Sequence, residues 1–244
     1  MSLQTRLHPR HKLKLERREA SFLCDGCKEP GFYSCYTCEK SCDFHLHRHC
    51  ANPRPSLKHP FFKNCSFRWV ESGLHGRVCD ACGTRVRGFV YHCDICGKDL
   101  HPSCANLPRV LDDGGLRLEL KKEISSECER CGWKKRADGK FSWGYVSTCK
   151  TFSYHISCMK DVLQDNCVKK EDSSRGSAVK DGGRESVKRT PMLQLAVREN
   201  KGRPGWKLAK MKKVVQVAVS IILAAVLGDP ISLAATVIAS LLSR

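Results

Sequence analysis

Seventeen cysteines and ten histidines stand in a chain of 244 residues, and every cysteine lies before Val168. Twelve of them fall into pairs of two kinds. Cys24-x2-Cys27, Cys79-x2-Cys82 and Cys128-x2-Cys131 form one kind, and His47-x2-Cys50, His101-x2-Cys104 and His155-x2-Cys158 form the other. Ten residues after the first pair come Cys38 and Cys42 in the first copy and Cys93-x2-Cys96 in the second; the third keeps Cys149 alone after a longer gap. Histidines 47, 101 and 155 recur every 54 residues, so the chain is a repeat. Thiolates and imidazoles at these spacings suit tetrahedral zinc. A disulfide framework is the competing chemistry. The segment from Met1 to Arg18 is basic and polar, with no apolar run of a secretory signal. A reducing compartment is therefore expected, which favours metal over disulfides.

The period extends the ligand set. Beyond each His-x2-Cys, after eight intervening residues, stand His59, Asp113 and Cys167. Upstream, His11 precedes Cys24 with twelve residues between and Cys65 precedes Cys79 with thirteen. His11-Lys-Leu-Lys-Leu15 and Cys65-Ser-Phe-Arg-Trp69 alternate apolar and polar, which predicts the first strand of each module. Each full repeat thus offers eight ligands, enough for two tetrahedral ions. Aromatics are 7% of the chain, so metal is expected to stand in for a core.

The order His-x12-Cys-x2-Cys, Cys-x2-Cys-x4-His-x2-Cys and a last ligand resembles the divergent C1 (cysteine/histidine-rich) domains abundant in plants. Cys24-Asp-Gly-Cys27-Lys-Glu-Pro, Tyr91-His-Cys93 and Asp99-Leu-His101-Pro-Ser-Cys104-Ala carry the match, which covers about residues 8 to 167. The resemblance implies small zinc-stabilised α+β modules in tandem, each with short strands, a short helix and two interleaved ligand sets. In the first module it implies one set of Cys24, Cys27, His47 and Cys50, and another of His11, Cys38, Cys42 and His59. In the second it implies Cys79, Cys82, His101 and Cys104, then Cys65, Cys93, Cys96 and Asp113. A polar turn in Asp-Asp-Gly-Gly is an equal reading of Asp113. The third module keeps Cys128, Cys131, His155 and Cys158, with Cys149 and Cys167 left over from a second site expected to be empty. That makes about five zinc ions. Cys35, His45, His49, His75 and His92 fit no ligand position.

The module limits expected on this basis are 8–59, 60–113 and 114–167. Residues 168–204 read as a disordered basic linker; 168–213 holds fourteen Lys or Arg against five acids. Residues 205–244 read as an apolar helix pair, Val214 to Leu227 and Ile231 to Leu242, divided by Gly228-Asp229-Pro230. Neither half reaches the ~20 residues that span a bilayer. A stripe of small or polar residues at every fourth position from Gln216 to Ser240 suits close helix packing. Lys210, Lys212 and Lys213 stand before the apolar run and would meet an anionic membrane if the pair enters one. Docking on a zinc module or on a second copy is the equal alternative.

The formal charge of +18 falls to about +13 once the thiolates and zinc are counted. No phosphate-binding loop, nucleophile elbow or metalloprotease motif is present. The expected function is a cytoplasmic, zinc-binding signalling scaffold that acts through protein partners, with membrane association through 205–244 and a nuclear location left open. It is not expected to be an enzyme. Nucleic-acid binding and thiol–disulfide exchange at the C-x2-C pairs are the alternatives. Diacylglycerol is not expected as a ligand, since neither ten-residue loop, after Cys27 or after Cys82, carries Gln-Gly.

Overall fold

The computed structural model describes residues 2–3, 5–72, 76–112, 114–136, 139, 141–175, 217–219 and 221–226. Three four-stranded antiparallel sheets follow one another along the chain. The first takes β1 (Ser2–Leu3), β2 (Leu13–Leu23), β3 (Pro30–Cys38) and β4 (His45–Leu46). The second takes β5 (Ser56–Lys58), β6 (Ser66–Val70), β7 (Val90–Cys93) and β8 (Lys98–Leu100). The third takes β9 (Val110–Asp112), β10 (Arg117–Lys121), β11 (Gly144–Ser147) and β12 (Ser153–His155). The short strand that opens each sheet places the module limits before Ser56 and before Val110, earlier than the ligand period places them. Alternation explains the faces: in β10, Leu118 and Leu120 are buried while Arg117 and Lys121 are exposed.

Two kinds of turn hold the ligands. After each C-x2-C the chain passes through a left-handed residue, Lys28, Gly83 or Gly132, with φ of 60, 69 and 75°. Its N–H returns to the carbonyl of the first cysteine at 2.9, 2.7 and 2.8 Å, which points both thiols to one side. Each His-x2-Cys starts a helix. In α1 (Arg48–Ala51) and α2 (Pro102–Ala105) the histidine is the N-cap, and Pro102 suits the first helical position. In the third module the helix runs on as α3 (Ile156–Arg175).

The modules lock head to tail through one repeated contact. Phe89 N–H of the second module donates to Gly26 O in the first module's knuckle at 3.0 Å. One period later, Trp143 N–H donates to Ala81 O in the second module's knuckle at 2.8 Å. The approach demands small residues, because a Cβ on Gly88 would lie 2.0 Å from Gly26 O. The second and third modules share one apolar cluster that also takes Phe32 of the first. Residues 217–219 and 221–226 are helical, and Ala218, Val219, Ile222, Leu223, Ala225 and Val226 are buried in that same cluster. The rest of the expected tail pair, with Lys210, Lys212 and Lys213, lies outside the described residues, as does the linker beyond Arg175. Among the described residues no helix is long and apolar enough to cross a membrane.

Candidate metal centres

Three four-ligand sets are near copies. Cys24, Cys27, His47 and Cys50 converge, as do Cys79, Cys82, His101 and Cys104, and Cys128, Cys131, His155 and Cys158. Within each set the donor atoms lie within 4.8 Å of one another. The histidine Nδ1 faces the second cysteine's Sγ, at 3.3 Å in the first set, 3.4 Å in the second and 3.5 Å in the third. Its Nε2–H donates to a backbone carbonyl, Pro30 at 3.2 Å, Arg85 at 3.1 Å and Lys134 at 3.1 Å. That bond fixes the tautomer and leaves Nδ1 free for an ion. The histidine N–H donates to the first cysteine's Sγ at 3.5, 3.4 and 3.5 Å.

The electrostatics ask for a cation. Burial resists ionisation of Cys24 and Cys82, yet hydrogen bonds from neighbouring thiols pull both well below the usual thiol range. Hydrogen bonding with Cys158 leads the fall of Cys128 to about 3. Their partners Cys27, Cys50 and Cys104 are driven up, first by burial and then by the thiolate beside them. Packed thiols cannot all ionise together without a divalent ion at the centre, and three sulfurs with one nitrogen fit zinc.

The remaining set of the first module differs from the expected one. His8 and His11 meet Cys38 and Cys42, with His8 Nε2 3.3 Å from Cys38 Sγ and His11 Nδ1 3.2 Å from Cys42 Sγ. The wider Cys38/Cys42 spacing still closes. His59, expected as the fourth ligand, is not among them. It lies in the second module just after β5, its ring stacked on Trp143 at 4.6 Å, and its Nδ1 accepts Phe61 N–H at 3.2 Å. Burial, then Arg109 and Lys122, hold it down to about 4, an environment hostile to a cation. The sequence signal for His8 is its x2 spacing to His11.

Cys65, Cys93 and Cys96 also converge, with Cys65 and Cys96 Sγ within bonding distance as a disulfide. This pair departs from the expectation that Cys65 and Cys96 both ligate zinc. Phe62 occupies the position that His8 holds one period earlier, so the set has three sulfurs among the described residues. Asp113, the expected fourth ligand, lies outside the described residues. Cys149 is exposed and joins no cluster among the described residues; hydrogen bonds with Ser147 and Thr151 bring it down to about 7. Cys35 is fully buried, and burial pushes it up to about 11. His45 meets Arg18 and Asp43, and His92 pairs with Asp99 at 2.8 Å, so both are structural. His75 is outside the described residues.

Residues 6–51 and 58–105 each match the C1 domain family. These two segments are C1 domains. No curated protein and no solved structure matches the chain. The C1 pair sits on the first two sheets and carries three of the four-donor sets, which fit zinc. The third module repeats the knuckle and His-x2-Cys geometry outside the matched segments. Cysteine/histidine clusters in tandem C1 domains fit zinc-binding modules of signalling or protein interaction.

Proposed function

We propose that the chain is a non-enzymatic, zinc-stabilised signalling scaffold that recognises protein partners in the cytoplasm. One observation carries this reading: each of the four complete sets encloses its centre with four protein donors. A closed tetrahedral ion has no position for water or substrate, so its work is structural. The side chains left to solvent support recognition. Trp133 is 65% exposed, beside Lys134 and Lys135, and Ile95 is 85% exposed. Tryptophan is among the residue types enriched at interface hot spots. Proximity labelling with the full chain and with Trp133→Ala is the test: a shared partner set that shrinks in the variant supports the reading, and identical sets oppose it.

The alternatives each have a discriminating outcome. Thiol–disulfide exchange predicts insulin reduction by the zinc-loaded protein, which coordinated thiolates should not perform. Nucleic-acid binding predicts affinity that falls steeply with salt. Attachment to an anionic membrane through 205–244 is the remaining reading. Burial of Ala218, Ile222 and Leu223 in the shared core favours docking of that tail on the modules instead.

A further inference from the structure

One buried cation joins all three modules, and none of the chemistry above uses it. Lys160 stands on α3, two residues after the ligand Cys158. Its ammonium donates to Glu29 Oε1 and, at 3.1 Å, to Ser103 Oγ. Ser103 Oγ in turn donates to Glu29 Oε2 at 2.7 Å. Glu29 lies two residues after the ligand Cys27, and Ser103 lies inside the His101-x2-Cys104 motif. Each module thus contributes one group from beside its own ligands. The side chains of Lys160 and Glu29 are 11% and 14% exposed. The ammonium also lies 3.2 Å from His101 Nδ1, the nitrogen that faces Cys82 Sγ.

Charge explains why a lysine should be there. Three thiolates and a neutral histidine around zinc carry a net −1, and the second module's four ligands are all buried. Glu29 adds another negative charge at the same place, with its Oε1 3.6 Å from His101 Nδ1. Unpaired charge in such surroundings is costly. Zinc held by Cys79, Cys82, His101 and Cys104 would make this centre anionic, and Glu29 would keep the ammonium beside it. We propose that Lys160 is the counter-ion and positioning residue of the Cys79/Cys82/His101/Cys104 zinc site, delivered from the third module. The second C1 domain therefore holds its metal fully only while α3 is docked. That gives the third module a role although it lacks a second ligand set among the described residues.

The test separates service to zinc from service to Glu29. Full-length Lys160→Met leaves Glu29 buried without its cationic partner and loses fold on that account alone, so the deciding variant is Lys160→Met with Glu29→Gln, compared with Glu29→Gln by itself. Zinc release to the chromogenic chelator pyridylazoresorcinol is followed, with differential alkylation and mass spectrometry to locate the thiols that open first. The double variant should release one equivalent of zinc at least about tenfold faster than Glu29→Gln, the usual scale for loss of a group supporting a ligand. Cys79, Cys82 and Cys104 should be alkylated first, and the cobalt–thiolate charge-transfer band of the cobalt-loaded protein should shift. Lys160→Arg, which keeps the charge, should stay near wild type. A double variant that releases zinc at the Glu29→Gln rate, or alkylation spread evenly over all modules, overturns the proposal.

Discussion

A histidine ligates well when one ring nitrogen faces the thiols and a carbonyl fixes the other, and His47, His101 and His155 all meet that condition. His59 meets neither half of it, for its Nδ1 is occupied by Phe61 N–H and its ring lies on Trp143. His8→Ala should therefore lose about one zinc equivalent, whereas His59→Phe should keep the wild-type content in elemental analysis. The same residue makes a pH prediction. His59 falls from an ordinary 6.5 to about 4 because of burial, then Arg109 and Lys122. The unfolded chain takes up its proton below 6.5 while the folded chain resists to about 4. Its contribution to stability is thus complete above 6.5 and lost as pH falls towards 4. His59→Phe keeps the stacking and removes the titration, so denaturation midpoints between those limits should fall less steeply than in wild type. The three knuckle sets were legible in the sequence because each is local and periodic. The His8/His59 exchange was not, because eight residues of separation say nothing about which sheet a strand joins. β5, three residues long, joins the second sheet and takes His59 with it.

Between elements, the recurring unit is a knuckle receiving the next module's aromatic loop. Gly26 and Ala81 take the ring-bearing neighbour because they are small; a Cβ on Gly26 would come 2.3 Å from the Phe89 ring. The third knuckle carries Arg130 at the matching position, its guanidinium bonded to Asp165 on α3 at 2.9 Å. A bulky, paired side chain there closes the array, as terminal repeats do in other stacked folds. Gly88→Ala drives a Cβ to 2.0 Å from Gly26 O, a backbone atom that cannot swing aside. The variant should lose about 1–3 kcal/mol of stability, the usual range for overpacking. Amide exchange at Phe89 should rise well before exchange in the sheet interiors, since its N–H donates to Gly26 O. Equal exchange in variant and wild type would mean that this contact does not hold the modules together. This docking was invisible in the sequence because backbone N–H and C=O groups carry no residue signature, although Phe89 and Trp143 do keep the 54-residue period.

At the scale of the whole molecule, metal and core divide the labour. The first module's own cluster is small and built round Cys24, Cys27, Cys35, Cys38 and Cys50. The larger cluster joins the second and third modules to the described part of the tail, and Val226 and Leu163 line one cavity of about 260 Å³ with Lys160. The described apolar residues of the tail are covered by protein, whereas hydropathy alone cannot distinguish lipid from protein as the cover. Ile222 is fully buried, so Ile222→Ala should cost about 2–5 kcal/mol if the tail is part of the fold. A tail that lay in lipid would make the same substitution nearly neutral for the protein in detergent-free buffer. Comparing the full chain with a 1–204 truncation sharpens the choice. Docking predicts that the truncation melts lower and exposes apolar surface to a reporter dye, while the full chain stays at the bottom of a flotation gradient with anionic liposomes. Flotation of the full chain, weakened but not abolished by salt, together with an unchanged melting temperature for the truncation, would assign the tail to the membrane.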